Sequence, residues 1–303
     1  MRVLLTGSNG FLGQKFSEKL SHYSLVENLL GISKSANRNP YLSPDQFRQV
    51  DLENTEEMVA TLEAFKPTHI LHTAAMTSVE ACEQDKEAAY RINVGVTKAL
   101  AAYCKRKGIH LTFLSTDFVF DGKNGPYRES DPTKAVNFYG QTKIEAEEAI
   151  AQSAADAAIL RTILVYGAIP DKGRSNLVLW AKNQLEQGKE ITVVVDQWRM
   201  PTWVDDLADA CYLAMQQRAS GIFHISGEEM MSIMEAVKLV ADTWNLDTSK
   251  IHPITAEAIG QHRNRPRTTG FVLDKAKSFL KYQPTPFVAS LHAIKKQLEE
   301  YKH

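Results

Sequence analysis

Tyr139 and Lys143 lie four residues apart in Asn137-Phe138-Tyr139-Gly140-Gln141-Thr142-Lys143, a stretch that reads as the start of a helix. Four residues make roughly one helical turn, so phenol and ammonium share a face. A neighbouring cation favours phenolate and lowers a tyrosine pKa. Tyr139 is then a proton donor or acceptor near neutral pH. Upstream, Ser115-Thr116-Asp117 follows the apolar run His110 to Leu114. A group at the carboxyl end of a parallel strand faces the ligand crevice. Thr116 is therefore expected to hydrogen-bond a substrate carbonyl and share its proton with Tyr139. The same tripeptide also reads as a simple turn, which leaves the tyrosine and lysine unexplained.

The chain opens with the apolar run Met1 to Thr6, and then Gly7-Ser8-Asn9-Gly10-Phe11-Leu12-Gly13. This is strand, glycine turn, helix. Gly7 permits the tight turn, Gly10 lets backbone approach a pyrophosphate, and Gly13 lets helix and strand pack closely. The free N–H groups and positive dipole end of the helix then face the phosphates. Gly7, Asn9, Gly10, Phe11, Leu12 and Gly13 are the expected phosphate end of a dinucleotide site. The G-x-x-G-x-x-G spacing resembles the short-chain dehydrogenase/reductase superfamily, in its extended branch. The second strand is expected at Leu29 to Ser33. An NAD-selective site carries an acidic residue there for the ribose hydroxyls. Ser33 and Lys34 stand in that place, with Arg38 following. Cations without a carboxylate suit a 2′-phosphate, so NADPH is expected over NADH, with NADH the second option. Asp51 and Leu52, at the end of the next short strand, join the expected cofactor residues.

The 303 residues are 44% hydrophobic and 23% charged, with a formal net charge of −1. Nothing in that balance points to nucleic acid or an acidic membrane surface as partner. The sequence shows no signal peptide and no apolar run of membrane-spanning length. Cys82, Cys104 and Cys211 are widely spaced, with no paired metal-ligand pattern, so no metal site is expected. An odd cysteine count suits a reducing cytoplasm. Strand and helix patterns alternate through the first half: strand Phe47 to Val50, helix Thr55 to Phe65, strand His69 to His72, one long helix Lys86 to Lys107, strand His110 to Leu114, the Tyr139 helix, and strand Ala157 to Arg161. Alternation of this kind predicts an α/β fold, a Rossmann-type doubly wound parallel sheet. Residues 1–167 are assigned to it. A turn at 169–174, a helix Leu177 to Leu185 and a strand Ile191 to Val195 follow. Residues 168–303 are read mainly as a smaller C-terminal substrate-binding lobe, with a return of 204–225 to the main sheet left open.

Ser115-Thr116-Asp117-Phe118-Val119-Phe120-Asp121-Gly122, followed by Tyr139-Gly140-Gln141-Thr142-Lys143, is similar to the dTDP-4-dehydrorhamnose reductase family. Thr73 to Thr77, Glu80 to Glu83, Asn93, Arg161 to Gly167, Arg199 to Ala208 and Arg265-Pro266-Arg267 continue the likeness. The resemblance implies a catalytic triad of Thr116, Tyr139 and Lys143, with Lys143 also holding the nicotinamide ribose. It implies Ala74, Ala75, Met76 and Asn93 beside the nicotinamide half. Thr77, Val119, Trp198, Arg199 and Arg265 are carried over to the substrate side. It implies reduction of a nucleotide-linked 4-keto-6-deoxy sugar. The chain departs from the family where Ile163-Leu164 replaces Ser-Trp, and where the segment after Arg265-Pro266 is longer and lacks a serine. On the residues alone, Trp198 and Arg199 read equally as a base or diphosphate contact or as a packed tryptophan and an ion pair. Arg263, Arg265 and Arg267 read as a diphosphate clamp or a solvated basic loop. His72 reads as a structural histidine, and Asp205-Asp206 as the first turn of a helix. Two other functions stay open: a nucleotide-sugar epimerase that retains NAD, and a non-catalytic cofactor-binding subunit resembling the regulatory subunit of methionine adenosyltransferase. The expected partner is a nucleotide sugar, and a homodimer is left open.

Overall fold

The computed structural model describes residues 1–301 apart from 172 and 174, and leaves aside the side chain of His262. In chain order the first half holds β1 (Arg2–Thr6), α1 (Phe11–Glu18), β2 (Asn28–Ser33), β3 (Phe47–Gln49), α2 (Thr55–Phe65), β4 (His69–His72), α3 (Val79–Gln84), α4 (Lys86–Tyr90), α5 (Val96–Lys107), β5 (His110–Thr116), α6 (Phe138–Ser153) and β6 (Ala157–Thr162). The second half holds β7 (Val165–Tyr166), α7 (Leu177–Glu186), β8 (Ile191–Val194), β9 (Trp198–Arg199), β10 (Thr202–Trp203), α8 (Val204–Gln216), β11 (Gly221–Ile225), β12 (Met231–Ser232), α9 (Ile233–Trp244), β13 (Ile251–Ile254) and α10 (Phe287–Glu300).

Seven strands form one parallel sheet in the order β11-β6-β5-β4-β1-β2-β3. The chain winds one way from β1 and the other way from β4. That reversal opens a crevice at the carboxyl ends of these two strands. Alternate residues feed opposite faces of the sheet. Val3 and Leu5 pack with Leu12 and Phe16 of α1 and with Leu207 and Cys211 of α8. Leu4, Ile70 and Leu111 pack on the other face with Met58 and Leu62 of α2, Leu100 of α5 and Ile150 of α6. Each such fully buried side chain contributes about 1.5–3 kcal/mol. A third core joins α7, β8, α9 and α10 through Val178, Val193, Val237 and Leu291.

Local chemistry fixes the ends of α2. Asn54 caps it by accepting from the Glu57 N–H at 3.2 Å, and Lys66 closes it with φ +52°. The long helix expected over 86–107 is broken instead. A π-turn, Arg91–Gly95, separates α4 from α5. Asn93 lies in that turn, and both ends of its amide bond the Met76 backbone, at 2.8 and 3.0 Å. A periodicity argument sees the helix but not the extra residue in its turn. Strand β5 runs two residues further than expected and includes Thr116. The turn expected at 169–174 contains 172 and 174, outside the described residues. Among the described residues no helix is long and apolar enough to cross a membrane.

Candidate active site

The glycine turn is tight because its neighbours leave no room for side chains. Gly7 ends β1 at φ +70°, and a Cβ there would lie 2.8 Å from the Ala74 nitrogen. At Gly13 a Cβ would run into the Gly7 carbonyl, so Gly13 lies behind the turn and lets α1 approach it. Asn9 ties this turn to the loop after β2. Its N–H donates to Ser33 Oγ at 3.1 Å, and its amide donates to the Ala36 carbonyl at 2.8 Å. Its Oδ1 accepts from the Arg38 N–H at 2.9 Å. The N-terminus of α1 carries no side-chain cap and no acidic residue in its first turn, leaving its N–H groups for an anion.

A cleft of about 900 Å³ starts at this turn. Gly7, Asn9, Gly10, Phe11 and Leu12 line one part of it, and Ser33, Lys34, Arg38, Asp51 and Leu52 another. Ala74, Ala75, Met76 and Thr77 line the middle, and Thr116, Tyr139 and Lys143 the far part. The sequence reading missed Ser35, Glu53, Asp117 and Leu164, which also line it. Leu164 carries a signal visible only in the backbone, a positive φ of 39°.

The fold changes the reading at Lys34. Its ammonium reaches Asp51 at 2.8 Å and Glu53 at 3.4 Å. Arg91 also bonds Glu53, at 3.1 Å. The hydrogen bonds from these carboxylates hold Lys34 above the ordinary lysine range. The missing acid at the end of β2 is thus supplied in space by the segment after β3. Lys34 is not an unpaired cation awaiting a 2′-phosphate.

The electrostatics of the tyrosine also differ from the expectation. Burial raises the Tyr139 phenol well above its usual value, and the hydrogen bond with Thr116 opposes that rise. The Lys143 ammonium stands 4.0 Å from the centre of the Phe113 ring, and burial pushes it down to about 7 against the pull of Glu147. Desolvation is the largest influence on the phenol, and the Lys143 ammonium is seated on the Phe113 ring. Thr116 Oγ1 donates to Asp117 at 3.2 Å. Asp117 is itself buried and accepts from Thr269.

Besides Gly13, five expected residues lie outside the lining of this cleft. Asn93 sits behind it, linking Met76 to Thr142 of α6 at 3.0 Å. Val119 is fully buried in the core. Arg199 is also buried. It donates to the carbonyls of Pro266, Arg267 and Trp198 at 2.7, 3.0 and 2.7 Å, and lies 3.9 Å from Asp117. A guanidinium so occupied fastens Pro266 and Arg267 to β9 and has no donor fork left for a diphosphate. Trp198 packs under Arg267, 5.4 Å from the guanidinium carbon to the ring centre. Arg265 pairs with Glu80 of α3 at 2.6 Å. Among the described residues no cluster of three or more histidine, cysteine or acidic side chains could hold a metal.

Residues 1–300 match the family model described as RmlD substrate binding domain. Methionine adenosyltransferase 2 subunit beta of Rattus norvegicus is 31% identical over 292 residues, spanning 94% of this chain and 84% of that protein. A dTDP-4-keto-6-deoxy-D-glucose reductase of Streptomyces niveus is 31% identical over 271 residues, spanning 88% of this chain and 87% of that protein. The crystal structure of dTDP-4-dehydrorhamnose reductase from Bacillus anthracis str. Ames, in complex with NADP, is similar at a TM-score of 0.86 and 25% identity. That match covers 98% of this chain and 99% of that one.

Proposed function

The chain belongs to the RmlD family, that of the dTDP-4-dehydrorhamnose reductases, and from that premise we propose that it is an oxidoreductase reducing a nucleotide-linked 4-keto-6-deoxy sugar with NADPH. One observation carries the reading. Thr116, Tyr139 and Lys143 line the same cleft as the glycine turn at the end of β1. The residues present suit a dinucleotide: an uncapped helix N-terminus, a turn in which a Cβ would clash at Gly7, and a cleft large enough for an extended ligand. Gly10, Phe11 and Leu12 would hold the pyrophosphate, Ser33 and Arg38 the adenosine ribose, and Ala74 to Met76 the nicotinamide half. When bound, the reduced nicotinamide supplies the hydride. Tyr139 gives its phenolic proton to the carbonyl oxygen, and Thr116 orients that oxygen. A phenol held protonated by burial is a donor throughout the neutral range. Lys143 binds the nicotinamide ribose with its ammonium. A cytoplasmic setting belongs to the same reading and agrees with three free, buried cysteines.

The test is NADPH consumption with a dTDP-4-keto-6-deoxy sugar by wild type and Tyr139→Phe. Turnover is expected in wild type and a loss of roughly 10²–10⁴-fold in the variant, with NADPH binding retained. Equal turnover in both proteins would remove Tyr139 as proton donor.

A second reading rests on the 31% identity to methionine adenosyltransferase 2 subunit beta. On that reading the chain binds cofactor as a regulatory subunit. A stoichiometric complex with a methionine adenosyltransferase catalytic subunit, together with no turnover on any keto sugar, would favour it.

A further inference from the structure

Glu147 lies four residues after Lys143 on α6, as Tyr139 lies four before it, so all three share one helix face. Its side chain is 7% exposed, and that of Arg161 on β6 is 2% exposed. Arg161 grips it with both arms, Nε reaching Oε1 at 3.0 Å and a terminal nitrogen reaching Oε2 at 2.6 Å. Ser115, the residue before Thr116, donates its hydroxyl to Oε1. A buried ion pair is costly to keep and a weak source of stability, so its place beside the site asks for another account.

Lys143 supplies one. Among the described residues its ammonium is within ion-pair distance of no carboxylate, and the Phe113 ring is its contact. The groups around it are few. Tyr139 and Glu147 come from its own helix. His72 comes from β4, neutral and bonded to Thr6 and Thr97 at 2.7 and 3.1 Å. The π-turn and α5 contribute the uncharged Asn93 and Thr97. Beyond Glu147 stand Arg161 and then His224 of β11, 3.5 Å from the guanidinium. Among the described residues Glu147, one turn away on the same helix face, favours the charged lysine. Its pairing with Arg161 weakens but does not cancel its field at Lys143, one helical turn away.

We propose that Glu147, fixed by Arg161 and Ser115, is a positioning residue that keeps the Lys143 ammonium charged and seated on the Phe113 ring. This rests on the assignment of Lys143 to the site. Arg161 keeps the carboxylate ionised, since guanidinium does not deprotonate in proteins. Ser115 ties its orientation to the strand end that carries Thr116.

The test is an NMR titration of full-length protein carrying lysine labelled with ¹³C at the ε carbon. The Lys143 signal is assigned by its loss in Lys143→Met. Glu147→Gln is expected to move the Lys143 midpoint to lower pH by roughly one unit. The pH profile of NADPH binding should move in the same direction. If the single variant does not fold with Arg161 left unpaired, Glu147→Gln combined with Arg161→Met removes both charges and should lower the midpoint as well. A folded variant of either kind with an unmoved midpoint overturns the proposal, even if its stability has dropped. The titration needs no sugar. Wild type without turnover therefore counts against the reductase reading alone, and an unmoved midpoint in an active enzyme against Glu147 alone.

Discussion

At the scale of the residue, environment decides more than identity. A tyrosine and a lysine four apart suggest a mutual interaction, yet Tyr139 answers to burial and Thr116, and Lys143 to Phe113 and Glu147. Lys34 shows the same lesson at the other end of the cleft. Its charge is balanced by Asp51 and Glu53, which lie near it only because β3 pairs beside β2. Removing the lysine leaves two carboxylates near the expected ribose site. Lys34→Ala should therefore weaken NADPH binding by about tenfold and NADH binding less, since the lost cation is partly screened by solvent. Fluorescence titration of both cofactors measures this. Equal losses for the two would place Lys34 away from the 2′-phosphate. The Tyr139/Lys143 pair and the glycine turn were legible because each is a local pattern in one segment. Asp117 was not, since its burial depends on Thr269 and Arg199 from distant segments.

At the scale of the element, α6 carries both Tyr139 and Lys143 into the cleft. Asn137 caps it by accepting from the Gly140 N–H at 2.7 Å, and its amide also holds the Asn264 carbonyl at 2.8 Å. Gly140, next to Tyr139, presses against the short turn Asp117–Val119, where a Cβ would run into the Phe118 carbonyl. Neither partner is a flexible side-chain end, so the helix itself must move. Gly140→Ala should cost about 1–3 kcal/mol of stability. It should lower kcat by roughly 10²-fold through misplacement of Tyr139, with the glycine turn still binding cofactor. A variant as active as wild type would show that α6 can shift without disturbing the site. Element boundaries were well marked where caps and breakers stand, as at Asn54 and Lys66. The π-turn was hidden, because Asn93 is drawn out of register by Met76 and Thr142, which are adjacent only in space.

At the scale of the whole molecule, the sheet buries its histidines. Burial pushes His72 and His224 down to about 3 and His69 to about 4. These folded values lie below the unfolded value of about 6.5. As pH falls, the unfolded chain takes up protons first. This stabilisation is complete above about pH 6.5 and is lost as pH falls toward the folded values. Asp206, raised to about 6 by burial, works in the opposite sense, gaining its proton in the fold before it does so in the unfolded chain. Against Asp206 alone these three histidines leave a loss of about 2 kcal/mol or more between about pH 7 and pH 5.5, which the buried Asp117 and Asp205, also raised, reduce. Urea denaturation at the two pH values measures the balance, and a rise in stability toward pH 5.5 would show that the buried carboxylates outweigh the histidines. By itself, the sequence determined the alternation of strands and helices, the glycine turn after β1, and the four-residue spacing of Tyr139 and Lys143 on one helix. Each is written in periodicity or spacing within a single segment. Only the tertiary structure decided that Lys34 is neutralised, that Arg199 fastens a loop, that Tyr139 keeps its proton, and that Glu147 stands behind Lys143. Those outcomes depend on desolvation and on pairing between remote segments, and both arise only when the sheet closes and excludes water.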